Sequence, residues 1–174
     1  MVEGGSLAVA LGANLPSPVG EPLATLLALR PLLTATLQDL WSSWGMGPPA
    51  LQWSPLFRTA PVVGPLGQPD YLNAVLLVRG EGTPQEPRAL EVLDRLQQLE
   101  LRFGRERRER WGPRSLDLDL LWWGPLQCKS ERLVLPHPLW GQRPFVLAPL
   151  AALQGEAPLP EWPQPLPGRR GWPE

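Results

Sequence analysis

An α+β fold, a single domain built on one antiparallel sheet with helices packed on one face, is predicted from three observations. The chain has 174 residues, enough for one ordinary domain. Hydrophobic residues make up 43% of it, so a core can form despite 24 prolines and 17 glycines. Short apolar runs alternate with two stretches in which leucine recurs at helical spacing.

The elements follow in order. Residues 6–11 (SLAVAL) read as a strand that ends in a tight turn at Gly12, Ala13 and Asn14. From Glu21 to about Trp44, Leu23, Leu26, Leu27, Leu33, Leu37 and Leu40 mark a helix. Pro22 suits its first turn, whereas Pro31 is expected to kink or split it, and the segment 45–49 stops it. Residues 51–59 read as a second strand, with Pro55 marking an edge or a bulge. The Pro/Gly loop 60–70 approaches the length at which loops tend to be functional, and 71–79 is a third strand. Thr83, Pro84, Gln85 and Glu86 have the pattern of a capping box with proline leading a helix. Ala89, Val92, Leu93, Leu96, Leu99 and Phe103 share one face of that helix, and Gly104 ends it. After a charged loop, 115–123 (SLDLDLLWW) alternates as a fourth strand. A short extended piece at 133–135 and a helix over 143–153, with Pro144 in its first turn, follow. Domain organisation is read as 1–154 plus an irregular Pro/Gly-rich tail, 155–174. The order β-α-β-β-α-β is that of a ferredoxin-like core, a fold shared by many activities.

Counts exclude whole classes of function. One cysteine, Cys128, rules out an internal disulfide framework and multi-cysteine metal sites. One histidine, His137, rules out a histidine-cluster site, so a bound metal must be a hard cation held by carboxylates. No apolar run reaches the ~18 residues of a membrane span, and the apolar stretch near the N-terminus is too short for a secretion signal. A cytoplasmic protein without membrane partners is expected. A net charge of −1 argues against a nucleic-acid partner.

Asp117 and Asp119 carry the chemistry. Two apart on a strand, they face one side while Leu116, Leu118 and Leu120 face the other. Carboxylates roughly 7 Å apart repel by about 2 kcal/mol at an effective dielectric near 20, and a divalent cation turns that repulsion into a site. An isolated Asp-x-Asp is most often a solvated strand face, but the flank here is unusual. Residues 102–114 hold six arginines and two glutamates, bracketed by Gly104, Gly112 and Pro113. Arginines converging on acidic metal ligands are what phosphoryl transfer requires: guanidinium groups neutralise developing charge and no covalent protein intermediate is needed.

The run from Arg110 to Leu121 (RWGPRSLDLDLL) closely resembles the signature of the 6-hydroxymethyl-7,8-dihydropterin pyrophosphokinases of folate biosynthesis. Leu11 to Asn14, Phe57 to Thr59, Gln68 to Asn73, Glu100 with Gly104 to Arg107, Pro136–His137 and Arg143 with Phe145 resemble further blocks of that family, in order. The resemblance implies transfer of pyrophosphate from ATP to the hydroxymethyl oxygen of the dihydropterin, with release of AMP. It implies two Mg²⁺ ions on Asp117 and Asp119, and Arg105 and Arg114 on the triphosphate. Arg107, Arg110, His137 and Arg143 would add nucleotide contacts, and Gln97 and Glu100 would line the nucleotide pocket. The pterin would stack between Tyr71 and Phe145, with Asn73 and the backbone near Thr59 and Ala60 reading its edge and Trp111 closing over it. A monomer with ATP and the dihydropterin as partners, and with neither nucleic acid nor membrane, is expected. Departures from the family pattern fall at Ala13, Pro16, Ala60 and Pro138, away from the aspartates and arginines.

The competing reading is a non-catalytic RNA-binding module, since ferredoxin-like sheets with arginine-rich loops bind RNA. The strands lack its aromatic platform. Another Mg²⁺-dependent nucleotide enzyme would differ in releasing ADP or free pyrophosphate.

Overall fold

A computed structural model describes residues 5–61, 64, 66–105, 114–157, 159–167 and 172. Its elements are β1 (Ser6–Ala13), α1 (Pro22–Ser43), β2 (Ala50–Trp53), β3 (Phe57–Thr59), β4 (Tyr71–Arg79), α2 (Glu86–Arg102), β5 (Asp117–Trp123), β6 (Cys128–Lys129), β7 (Val134–Leu135) and α3 (Pro144–Leu153), with a 3₁₀ turn at Trp140–Gln142 before the last helix. The sheet runs β2-β4-β1-β5 with β3 also on β4, and every pairing is antiparallel. Counting β2 and β3 as one broken strand, this is the ferredoxin-like core in a single α+β domain.

Alternation along the strands sorts side chains between two layers. Leu7, Val9, Leu11, Leu72, Leu76, Leu118 and Leu120 meet α1 and α2 in the main core. Ala8, Val75, Leu77, Leu121 and Trp122 meet Val146 and Leu150 of α3 on the opposite face. The expectation of helices on one face is therefore corrected for α3. That helix is apolar nearly all round, so it seats on the sheet face that α1 and α2 leave bare. It covers only part of that face, and the uncovered part carries the aspartates.

Several local expectations are also revised. The first helix runs unbroken through Pro31. Pro31 and Leu27, the residue whose carbonyl loses its helical donor, are both exposed, so water can satisfy that oxygen. The second helix starts at Glu86 with Gln85 as its cap, two residues later than the predicted cap Thr83, and Pro87 stands in its first turn. A start at Thr83 would have required a backbone N–H from Pro87, which has none. With Gln85 as cap, that first bond comes from Ala89 N–H at 2.9 Å.

The second strand divides at Pro55. Trp53 pairs with Leu76 and Phe57 with Asn73, so three residues bridge two, a bulge. Ser54 repairs the ladder: its N–H donates to the Val75 carbonyl, and its Oγ accepts from Val75 N–H, both at 2.9 Å. A second bulge lies in β5, where Ala8 pairs with Trp122 but Val9 with Leu120. Leu121 is the extra residue, which is why Leu121 and Trp122 both point toward α3.

Candidate active site

The uncovered sheet face forms one wall of a cavity of about 550 Å³. Of the expected site residues, it brings together Thr59, Ala60, Tyr71, Asn73, Arg105, Arg114, Asp117, Asp119, His137, Arg143 and Phe145. Arg107, Arg110 and Trp111 lie outside the described residues. Gln97 and Glu100 do not line the cavity.

The acidic centre is set by strand geometry. Asp117 and Asp119 pair with Gly12 and Ala10, whose lack of bulk leaves the face open above them. Burial, then the charge of Asp117, pushes the Asp119 carboxyl up to about 7, against the pull of Arg143, Arg105 and Arg114. Among the described residues no third His, Cys, Asp or Glu joins the pair in a metal-binding group. Two carboxylates side by side on one strand face, with open space above, suit a hard divalent cation that takes its remaining ligands from phosphate oxygens.

Arg105 reaches this pair because α2 ends in a Schellman turn. Gly104 sits at φ +79°, a conformation that favours glycine, and Arg105 N–H returns to the Glu100 carbonyl at 3.0 Å. The turn lays the guanidinium across the Glu100 carboxylate, and its Nη1 lies 3.0 Å from Asp117 Oδ1. Glu100 is 4% exposed and also accepts the Leu118 N–H at 3.0 Å. It stands beneath this cavity rather than in its lining. As a buried charge it must be paired, and it holds Arg105 from below.

The backbone of Arg114 is fixed by a residue to which the sequence alone assigns no role. Asn14, 2% exposed, accepts the Arg114 N–H on Oδ1 at 2.8 Å and donates its own N–H to the Arg114 carbonyl at 2.9 Å. Its amide also donates to the Pro69 carbonyl at 3.0 Å. One side chain thereby ties the end of β1 to the segments entering β4 and β5. The sequence signals were a turn-forming asparagine after a strand and the resemblance of Leu11 to Asn14 to a block of the family.

Arg143 caps the start of α3, with Nη1 4.0 Å from Asp119 Oδ2 and its guanidinium 5.5 Å from the Phe145 ring centre. His137 is anchored by its N–H on the Leu121 carbonyl at 2.7 Å, and its Nδ1 accepts from Leu139 N–H at 3.2 Å. Burial and the nearby Arg143 charge lower its pKa, so it stays neutral near pH 7. Across the cavity, Asn73 donates to the Thr59 hydroxyl at 2.5 Å. A Cβ on Gly12 would stand 2.9 Å from Asn73 Oδ1 and 3.6 Å from the Tyr71 ring, so only glycine leaves that amide in place.

The cavity thus sets an acidic pair and three guanidinium groups against a wall of two aromatic rings and one amide. Residues 8–155 match the family model for 7,8-dihydro-6-hydroxymethylpterin-pyrophosphokinase. The chain belongs to that family.

Named relatives agree. The chain is similar to the 2-amino-4-hydroxy-6-hydroxymethyldihydropteridine pyrophosphokinases of three bacteria. Identity is 36% with that of Synechocystis, covering 92% of this chain and 70% of the relative. It is 37% with that of Haemophilus influenzae, covering 87% and 83%. It is 38% with that of Pseudomonas aeruginosa, covering 88% and 83%. For a pyrophosphokinase, the division of this cavity into a charged half and an aromatic half is chemically apt, since its two substrates differ in the same way.

Proposed function

We propose that this chain transfers the terminal pyrophosphoryl group of ATP to the hydroxymethyl oxygen of 6-hydroxymethyl-7,8-dihydropterin and releases AMP. The observation that carries this reading is the convergence of Asp117 and Asp119 with Arg105, Arg114 and Arg143 in one cavity that also holds Tyr71, Asn73 and Phe145. Family membership supports it independently.

Asp117 and Asp119 would hold two Mg²⁺ ions, which when bound withdraw charge from the phosphate oxygens. The hydroxymethyl oxygen attacks the β-phosphorus in line; a new O–P bond forms, the bond to the α-phosphate oxygen breaks, AMP departs, and the hydroxyl proton is lost to solvent. Arg105 and Arg114, fixed by Glu100 and Asn14, offset charge on the transferring group without reorganising. Arg143 and neutral His137 would contact the nucleotide, joined by Arg107 and Arg110. Tyr71 and Phe145 stack on the pterin, and Asn73, with the Thr59–Ala60 backbone, reads its hydrogen-bonding edge while Trp111 closes over it. None of the placed side chains is an obvious general base, which suits a loose transition state that gains most from positioning.

Among the described residues no helix is long and apolar enough to cross a membrane. A cytoplasmic, monomeric enzyme is part of the same proposal. Neither the fold nor the comparisons support RNA binding. The deciding experiment supplies ATP, Mg²⁺ and the dihydropterin and identifies the nucleotide released. AMP formed in one step, dependent on the pterin, is expected; ADP or free pyrophosphate would refute the assignment.

A further inference from the structure

The break at Pro55 leaves the carbonyls of Ser54 and Leu56 on the sheet's outer edge, where no neighbouring strand can bind them. The C-terminal segment takes both. Leu166 N–H donates to the Leu56 carbonyl at 2.9 Å, and Trp172 Nε1–H to the Ser54 carbonyl at 2.7 Å. Pro165 forms an antiparallel bridge with Phe57, the first residue of β3.

The attachment is more than an edge contact. Trp172 is 6% exposed and belongs to the main core. The guanidinium carbon of Arg30 lies 4.9 Å from the centre of the Trp53 ring and 4.8 Å from that of Trp172, and the two rings meet edge to face at 5.9 Å. These groups join α1, β2 and the C-terminal segment at one point. Pro165, Leu166 and Trp172 all lie beyond residues 8–155, the part matched to the family, so the device is a feature of this chain rather than of the matched region.

We propose that Pro165, Leu166 and Trp172 form a strap that positions β3 and thereby tunes recognition of the pterin rather than of the nucleotide. Phe57 lies two residues before Thr59, whose hydroxyl holds Asn73, so a displacement of β3 reaches the Thr59–Asn73 pair directly. Asp117 and Asp119 stand on β5, separated from β3 by β4 and β1. The inference rests on the proposal above that Thr59 and Asn73 face the pterin.

The test is steady-state kinetics of full-length Trp172→Ala and Trp172→Phe. In Trp172→Ala, KM for the dihydropterin rises about fivefold or more, while kcat and KM for ATP stay within about twofold. Trp172→Phe, which keeps a ring but loses the N–H, falls between. A strap serving stability alone would reduce the active fraction, and with it apparent kcat, leaving both KM values unchanged. That result, or equal changes in the two KM values, overturns the proposal. Should Trp172→Ala fail to fold, Trp172→Phe and Arg30→Met are read by the same split. If the unaltered chain makes no AMP, the functional reading fails first and the strap's role falls with it; a shifted KM for ATP alone sinks only the strap.

Discussion

Glu100 carries two loads: it accepts the Leu118 N–H and pairs with Arg105. Glu100→Gln keeps an acceptor for the first and removes the charge from the second, so Arg105 loses its fixed aim. We expect kcat/KM to fall about tenfold, equivalent to ~1.4 kcal/mol, with an unchanged far-ultraviolet spectrum. Wild-type kcat/KM in that variant would sever the link between Glu100 and Arg105. Asp119 sets a pH dependence of opposite sign to that of most carboxylates. Its folded pKa, about 7, exceeds the unfolded value of about 4, so between these values the metal-free native state binds more protons than the unfolded chain. The stability this group contributes is complete below pH 4 and is lost as pH rises through 7. Thermal melts without metal should therefore show Asp119→Asn gaining on wild type at pH 8 relative to pH 5; a gap independent of pH would contradict the assignment.

Among the helices, α1 tolerates a proline that elementary rules would place at a break. The cost of Pro31 is one missing backbone bond on a wet face, and the tertiary anchors Leu26, Leu29, Leu33 and Leu37, all fully buried, outweigh it. Pro31→Ala restores the donor. Against the ~3 kcal/mol penalty of an interior proline stands the greater freedom of the unfolded chain, so a net gain of about 2 kcal/mol is expected in urea unfolding. An unchanged or lowered midpoint would show that Leu27's carbonyl was already well served.

For the whole molecule, nucleotide and cation should stabilise the fold together. A non-hydrolysable ATP analogue with Mg²⁺ at 100 times its Kd should stabilise the fold by about 2.7 kcal/mol, or roughly 5–10 °C in Tm. Neither Mg²⁺ alone nor the analogue with chelator should match it, since among the described residues no third carboxylate, histidine or cysteine joins the two aspartates; equal shifts from the analogue with and without the cation would argue against an acidic metal seat. The fold was legible because periodicity is a local signal: the limits of β4, Tyr71–Arg79, follow from an apolar run and its flanks. The aspartates and arginines were legible as an unusual adjacency of opposite charges. What escaped was contact at long range. Nothing near Asn14 announces Arg114 a hundred positions later, and nothing in a proline-rich tail shows that Trp172 enters the core. The placement of α3 escaped likewise, because a helix apolar on all sides does not say which layer it will join.

The extra residue in β5 has one more consequence. A regular strand offers one side chain per face every two residues; here Leu121 and Trp122 crowd the face beside Asp119 in succession. Both are 1% exposed, so the strip of sheet that follows the acids is continuous dry packing against α3. In an alignment of homologues, a single gap at this position would look like an innocuous shortening of a strand, yet it would take one of two adjacent anchors from under the last helix.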